Sequence, residues 1–151
     1  MKTIILGADH GGFELKNTIK AHLEAKGFDV IDVGTNSADS CDYPIFASRL
    51  CAKIQNGEAE LGILVCGTGI GMSMAANKHK GIRAACCSDT FSARLTRLHN
   101  NANVLCLGAR VVGAGLAIDL VENFVNSEFE GDRHIKRLSL IEDIENGNLP
   151  K

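Results

Sequence analysis

The sequence predicts an α/β domain built on a five-stranded parallel sheet. Short apolar runs rich in branched residues alternate along the chain with longer runs whose apolar residues recur every three or four positions. The first pattern is typical of buried strands and the second of amphipathic helices. Because consecutive parallel strands need a helical crossover, the alternation predicts helices on both faces of the sheet.

Five segments match the strand pattern. They are Thr3–Ala8, 29–33, Leu61–Cys66, 83–87 and 104–107. In sheets of this kind ligands bind beyond the carboxyl ends of the strands, so the loops that follow these segments are the expected location of the chemistry.

Amphipathic helices are predicted between the strands. Leu15, Ile19 and Leu23 share one face of the first helix, and Gly27 is its expected stop. Similar spacing predicts three more helices, of which the second begins after the capping candidate Ser88. Their apolar positions are Phe46, Leu50 and Ile54, then Phe91, Leu95 and Leu98, then Leu116, Leu120 and Phe124. A final helix over about 131–146 would carry Ile135, Leu138, Ile141 and Ile144.

Composition and charge narrow the class of protein. Of 151 residues, 45% are hydrophobic and 23% are charged, which is typical of one globular domain spanning 1–151. The formal net charge of −2 and the lack of a basic block argue against nucleic-acid and membrane-surface partners. No apolar stretch approaches the ~18 residues of a membrane span, and the N-terminus lacks signal-peptide anatomy. We therefore expect a cytoplasmic protein.

The six cysteines include no Cys-x-x-Cys pair, which argues against a zinc site or a thioredoxin-like motif. We expect five of them to be small buried side chains in a reducing compartment. Cys66 is the exception, because of the residues around it.

The segment 61–71 is the strongest functional signal. An apolar strand ends at Cys66, and Gly67, Gly69 and Gly71 follow at alternate positions before a helix-forming stretch. Glycines let the backbone turn tightly and approach a ligand, and a helix start presents free N–H groups to an anion. Positive potential beside a thiol favours the thiolate. We therefore predict a reactive cysteine beside an anion-binding turn.

Further polar residues follow the other predicted strands. Asp9 and His10 follow the first strand, His99 and Asn100 lie between the fourth and fifth, and Arg110 follows the fifth. We expect all of them at the carboxyl edge of the sheet or in adjoining loops, close to the thiol.

A nucleotide site is only weakly indicated. The glycines after Cys66 lack the Gly-x-Gly-x-x-Gly spacing of a dinucleotide fingerprint, and Phe13-Glu14 replaces the Lys-Ser/Thr of a phosphate loop. Asp32, at the end of the second strand, is the one residue placed where a ribose-binding acid would be.

Arg133 and Arg137 lie one helical turn apart near the C-terminus. Two guanidinium groups on one helix face suit a phosphate, and the alternative is a solvated surface face. His22 and His79, in polar helical surroundings, are expected to be surface residues.

Several groups of residues together indicate a family. They are Asp9-His10-Gly11-Gly12-Phe13-x-Leu15-Lys16, Asp42-Tyr43-Pro44, Cys66-Gly67-Thr68-Gly69-Ile70-Gly71, Ala75-Ala76-Asn77-Lys78, Gly81-Ile82-Arg83-Ala84, His99-Asn100-x-x-Asn103, Gly108-x-Arg110 and Glu130-Gly131-x-Arg133-His134-x-x-Arg137. In this order they closely resemble the type B ribose-5-phosphate isomerases, over essentially the whole chain. The wider family also includes allose-6-phosphate and galactose-6-phosphate isomerases.

The resemblance implies a three-layer α/β/α, Rossmann-like domain whose strand order is 2-1-3-5-4. It also implies a homodimer, sometimes paired into a tetramer, with active sites shared across the subunit interface. The substrate would be a phosphorylated sugar. No metal and no organic cofactor are expected, because one base can move a proton between adjacent carbons.

The resemblance also implies a role for each site residue. Cys66 matches the catalytic base of the cysteine-bearing branch, since the stretch 71–74 lacks the glutamate that other members use. His99 matches the ring-opening residue, Asp9 a partner of a sugar hydroxyl, and Thr68 would add its hydroxyl to the cluster. The phosphate-binding group would be His10, Arg110, Arg133 and Arg137, part of it from the neighbouring subunit. The other substrate-binding residues would be Tyr43, Gly67, Gly69, Ile70, Gly71 and Asn100.

We thus expect an aldose–ketose isomerase that interconverts ribose 5-phosphate and ribulose 5-phosphate through an enediolate. Two alternatives remain: the same chemistry on a six-carbon sugar phosphate, and a non-catalytic module that binds sugar phosphates or nucleotides. The presence of both Cys66 and His99 favours an enzyme, because binding alone needs neither a base nor a ring opener.

Overall fold

A computed structural model describes residues 2–151 as eleven elements. They are β1 (Thr3–Ala8), α1 (Phe13–Ala25), β2 (Asp29–Asp32), α2 (Tyr43–Gln55), β3 (Leu61–Cys66), α3 (Ile70–Ala76), β4 (Ala84–Cys86), α4 (Thr90–Asn100), β5 (Val104–Gly108), α5 (Ala114–Val125) and α6 (Arg133–Glu145). Within the described residues, no helix is long and apolar enough to cross a membrane.

The five strands form one sheet in the order β2-β1-β3-β5-β4, and every neighbouring pair is parallel. The predicted fold and strand order are therefore confirmed. The register pairs Gly62 with Val104 at the start of β3 and β5, and Cys66 with Gly108 at their ends. These two strands thus bring their carboxyl ends to the same edge of the sheet, side by side.

Two apolar clusters cover the two faces of the sheet, which makes the domain three-layered. Successive residues of β1 alternate between them, with Ile4 and Leu6 in the first cluster and Ile5 in the second. The first cluster contains residues of α1, α4 and α5, and the second contains residues of α2 and α3. Strands that are buried on both faces explain why β3 is apolar at every position.

Helix ends follow local sequence signals, with one shift from the prediction. Gly27 has φ +86° just after Lys26, the C-cap residue of α1, so the predicted stop occurs there. The cap of α4 is Asp89 rather than Ser88, because the Asp89 carboxylate accepts a hydrogen bond of 2.7 Å from the Ser92 N–H. Serine and aspartate are both good N-caps, and Asp89 takes this role because it lies three positions before Ser92, whose N–H it accepts.

Several predicted core residues of the later helices are exposed. Phe91 at the start of α4 is 66% exposed, and α4 buries Ala93 and Thr96 instead. In α6, Ile135 and Ile144 are 59% and 60% exposed. The apolar spacing predicted these helices, but it did not predict which surface would cover them.

Candidate active site

The candidate site lies at the carboxyl ends of three neighbouring parallel strands. β1, β3 and β5 are neighbours and end at Ala8, Cys66 and Gly108. The loop after β5 is bonded to the loop after β3, because the Ala109 N–H donates to the Cys66 carbonyl (2.8 Å) and the Arg110 N–H to the Gly67 carbonyl (3.0 Å). The thiol, the glycine loop and Arg110 therefore form one connected unit.

Cys66 is the last residue of β3 and is only 4% exposed. Its Sγ accepts a hydrogen bond of 3.1 Å from the Gly69 N–H, which stabilises negative charge on the sulfur. Gly69 can make this turn because it has φ +78°, a conformation that favours glycine. The predicted combination of a thiol and a glycine turn is thus a hydrogen-bonded unit.

Glycines let the backbone segments around Cys66 pack directly on one another. A Cβ atom at Gly12 would lie 2.3 Å from the Val65 carbonyl oxygen, and one at Gly108 would lie 2.6 Å from the Thr68 carbonyl carbon. Neither neighbour is a flexible side-chain end that could move away. We call the backbone around Gly12, Gly108 and the loop 67–71 the glycine floor.

Asp9 and His10 lie on the first loop of this edge. Asp9 is 7% exposed, and its carboxylate accepts a hydrogen bond of 3.1 Å from the Gly12 N–H. His10 is exposed, and its Nδ1 accepts a hydrogen bond of 3.2 Å from the Cys41 N–H. A neutral His10 bonded in this way carries its proton on Nε2, which makes that atom a donor to a ligand.

The remaining predicted residues of this edge surround the thiol more openly. Thr68, Ile70 and Arg110 are exposed, and the Thr68 hydroxyl accepts a hydrogen bond of 3.3 Å from the Ile70 N–H. Tyr43 begins α2, and its ring lies 2.7 Å from where a Cβ of Gly71 would be. A cavity of about 380 Å³ opens beside His10 and Arg110. We call this whole group the carboxyl-edge site.

Asp32 is not available as a ribose-binding acid. Its carboxylate oxygens accept hydrogen bonds of 2.8 and 2.9 Å from the Lys16 Nζ, and that Nζ also donates to the Thr35 carbonyl oxygen at 2.7 Å. Lys16 is 1% exposed, so this is a buried ion pair that holds the loop after β2. The sequence offered no sign that this lysine would be buried, because its partner lies 16 residues away.

His99 and Asn100 do not lie at the carboxyl edge, and that prediction is wrong. They occupy the last turn of α4, which returns across the sheet and leads directly to Val104 at the start of β5. Val104 pairs with Gly62, four residues before Cys66, so the two edges are about 13 Å apart along β3. Within one chain, His99 and Cys66 therefore sit at opposite ends of the sheet.

His99 belongs to a second group of functional side chains. Its ring stacks on that of His134 with the ring centroids 4.3 Å apart and an interplanar angle of 15°. The Glu130 carboxylate lies 3.7 Å from the Nε2 of His99 and 3.9 Å from that of His134. Arg133 and Arg137 are exposed on the same helix as His134. We call these five residues the α4–α6 cluster.

The ligand atoms of His99, Glu130 and His134 lie within 4.8 Å of one another, a spacing compatible with a metal ion. However, a metal bound to histidine lies close to the plane of the imidazole ring. The two stacked rings lie in nearly parallel planes with their centroids 4.3 Å apart, so one ion cannot lie close to both ring planes, and this arrangement does not suit a shared ion.

Other histidines and cysteines differ partly from expectation. His22 is half-buried, and its Nε2 lies 2.6 Å from the Glu122 carboxylate across the contact between α1 and α5. Cys86, at the end of the edge strand β4, is exposed and Cys41 is half-buried. Cys51, Cys87 and Cys106 are buried as expected, and burial raises the pKa of the Cys51 and Cys87 thiols to about 11.

Known proteins resemble this chain over nearly its whole length. Residues 4–141 match the family described as Ribose/Galactose Isomerase. Ribose-5-phosphate isomerase B of Escherichia coli is 50% identical over 145 residues, which cover 96% of this chain and 97% of that protein.

Solved structures agree with the sequence match. Ribose-5-phosphate isomerase B of Clostridium thermocellum superimposes with a TM-score of 0.95 at 47% identity, covering 96% of this chain and 98% of that one. The Mycoplasma genitalium enzyme, solved with bound ribulose 5-phosphate, gives a TM-score of 0.91 at 44% identity over 95% of this chain and 96% of its own. The chain belongs to the ribose/galactose isomerase family.

Proposed function

We propose that this protein interconverts ribose 5-phosphate and ribulose 5-phosphate through an enediolate, with Cys66 as the base. The observation that carries the proposal is the buried Cys66 sulfur at the end of β3, which accepts the Gly69 N–H at 3.1 Å. The names of the relatives, and the ribulose 5-phosphate bound to one of them, support this choice of substrate.

Cys66 acts as a proton carrier between two carbons. As a thiolate it removes the proton from C2 of the open-chain aldose and returns it to C1, while the proton of the C2 hydroxyl passes to the C1 oxygen; the reverse reaction follows the same path. No electrons leave the substrate, so the step needs no cofactor. Backbone N–H groups of the loop 67–71 and the Thr68 hydroxyl stabilise the negative charge that develops on the substrate oxygens.

Contacts away from the reacting carbons hold the sugar phosphate in place. Asp9 accepts a hydrogen bond from a sugar hydroxyl. The Nε2–H of His10 donates a hydrogen bond to the phosphate, which Arg110 also binds. Arg133 and Arg137 complete the phosphate site, while Tyr43, Ile70 and Asn100 line the sugar. These contacts orient C1 and C2 towards the thiol.

The active form is a homodimer whose sites are shared between subunits. Ring opening by His99 and proton transfer by Cys66 act on the same small sugar, yet the two residues lie at opposite edges of one chain. A second copy that places its α4–α6 cluster over the carboxyl-edge site removes this conflict. The exposed Ile141 and Ile144 border an apolar groove of about 500 Å³ beside β4, a surface suited to such an interface.

Two such dimers can pair into a tetramer without changing the shared sites. A cytoplasmic location fits the six free thiols, because disulfides are rare in a reducing compartment.

The substrate is tested by a coupled isomerase assay on ribose 5-phosphate and allose 6-phosphate side by side. We expect the larger kcat/KM on ribose 5-phosphate. A larger value on allose 6-phosphate would identify the protein as a six-carbon sugar isomerase, and no turnover of either would indicate a binding module.

The shared site is tested by mixing two inactive variants, Cys66→Ala and His99→Ala, after dissociation and reassociation. Half of the dimers formed at random are mixed, and each mixed dimer rebuilds one intact site, so about a quarter of wild-type activity should return. Recovery of no activity, with mixed dimers confirmed by native mass spectrometry, would contradict the shared site. The unmixed variants are the matched controls.

A further inference from the structure

We propose that Glu130 and His134 are positioning residues for the ring-opening step. Glu130 supplies the negative charge that stabilises the His99 imidazolium, and His134 is a neutral platform on which the His99 ring stacks. This inference rests on the ring-opening role of His99 within the proposed function, and it adds two residues to which no role has been given so far.

The stack fixes the orientation of the His99 ring. The two rings are 4.3 Å apart between centroids and nearly parallel, with an interplanar angle of 15°. His99 sits on the last turn of α4 and is partly exposed, so its ring would otherwise be free to change rotamer. His134 is 6% exposed and is therefore the fixed partner of the pair.

The surroundings of His134 keep it neutral. Burial and the nearby Arg133, His99 and Arg137 lower the pKa of His134, and Glu130 opposes them only in part. Its Nε2 is buried without a hydrogen-bond partner among the described residues, which a charged ring would tolerate poorly. His134 is therefore the neutral ring of the stacked pair.

A backbone hydrogen bond fixes the position of Glu130 relative to α4. Its N–H donates a hydrogen bond of 3.0 Å to the Leu98 carbonyl oxygen, on the same helical turn as His99. This bond brings the carboxylate to 3.7 Å from the His99 Nε2. The charged groups that face the stacked rings are this carboxylate, from the loop before α6, and Arg133 and Arg137 from α6 itself.

Ring opening needs a histidine that is charged only for a short time. His99 takes the proton of the anomeric hydroxyl and passes a proton to the ring oxygen, while the bond from C1 to that oxygen breaks and C1=O forms. The intermediate imidazolium is favoured by the Glu130 carboxylate, and a neutral His134 does not repel it. The carboxyl-terminal end of α4, where His99 lies, favours the same charged state.

The test separates ring opening from proton transfer. Ribulose 5-phosphate cannot close a furanose ring through its phosphorylated C5 oxygen, so exchange of its C1 proton with deuterium oxide reports on the Cys66 step alone. Conversion of cyclic ribose 5-phosphate reports on ring opening as well. We expect Glu130→Gln to lower kcat on ribose 5-phosphate about tenfold while C1 exchange stays within about twofold of wild type.

Matched variants give the controls. Glu128→Gln removes an exposed carboxylate two residues earlier, and both rates should match wild type. His134→Phe keeps a flat ring that cannot carry a proton, and it should retain most activity on ribose 5-phosphate, whereas His134→Ala should lose about tenfold. Thermal melting identifies any variant that loses rates through unfolding.

Three results would overturn the inference. They are a Glu130→Gln enzyme with unchanged conversion of ribose 5-phosphate, equal losses in both assays, and a folded His134→Phe enzyme as impaired as His134→Ala. A different result would contradict the proposed function itself: wild-type protein that does not exchange the C1 proton of ribulose 5-phosphate with deuterium oxide.

Discussion

The carboxyl-edge site and the α4–α6 cluster are built in opposite ways. The first is mainly backbone, in which Cys66 and Asp9 are buried and bonded to glycine N–H groups at 3.1 Å. The second consists of side chains from α4, from α6 and from the loop before α6, and its two arginines are exposed. A rigid backbone can hold a reactive atom in place before substrate arrives, whereas long side chains can close around a phosphate. In the proposed mechanism, the first region performs proton transfer and the second opens the sugar ring and binds the phosphate.

The largest effect expected from this contrast is that of Cys66→Ala. Removing the base should lower kcat roughly a thousandfold while binding of ribulose 5-phosphate is kept, because the phosphate contacts are untouched. The measurement is steady-state kinetics together with calorimetric binding. Cys51→Ala is the control, since this thiol is buried in α2 within the second apolar cluster and its removal should leave kcat unchanged. Near-normal turnover of Cys66→Ala would remove the thiol from the mechanism.

A smaller effect tests the rigidity of the glycine floor. In Gly12→Ala the added Cβ would lie 2.3 Å from the Val65 carbonyl oxygen, so we expect a loss of about 3 kcal/mol in the free energy of unfolding. Denaturant titration measures this loss. The control is Gly115→Ala in the first turn of α5, where a Cβ meets nothing within 4 Å. Equal stability of the two variants would show that the floor is not rigid.

The smallest of the three effects concerns the α4–α6 cluster. Arg137→Ala should raise KM for ribose 5-phosphate about tenfold with little change in unfolding free energy, because its guanidinium is exposed and meets the phosphate only in the complex. Lys136→Ala, one residue earlier and also exposed, is the matched control for loss of charge. If both variants raise KM equally, the helix contributes general positive potential rather than a defined phosphate contact.

Local signals predicted the arrangement of Cys66 and its glycine turn at the end of β3. A strand ending at Cys66 and the glycines after it lie within six residues of one another, so the sequence alone places them together. The parallel sheet then brings Asp9 and Arg110 to the same edge by topology. The strand order itself came from the family resemblance, because alternation of strands and helices does not specify which strands are neighbours.

The failures of prediction involve residues whose partners lie far away in the sequence. The position of His99 between two strands predicts the carboxyl edge, yet a crossover helix ends at the amino edge, and only four residues lie between His99 and β5. The Asp32 carboxylate forms an ion pair with Lys16, a partner that no local pattern identifies. His134 stands in a family motif without an assigned role, and its position one helical turn after Glu130 is the local signal that links the two residues.

The glycine floor also restricts how the protein can change over evolutionary time. Side chains cannot be added at Gly12 or Gly108 without displacing main-chain atoms, so substitutions at these two positions would distort the backbone rather than resize the proposed sugar site. On the proposed function, we expect adaptation to longer or shorter sugars to proceed through the exposed residues of α6 instead. The sequence positions most tolerant of mutation are then those with the greatest influence on substrate choice, and directed evolution of new specificity should begin on α6 rather than around the thiol.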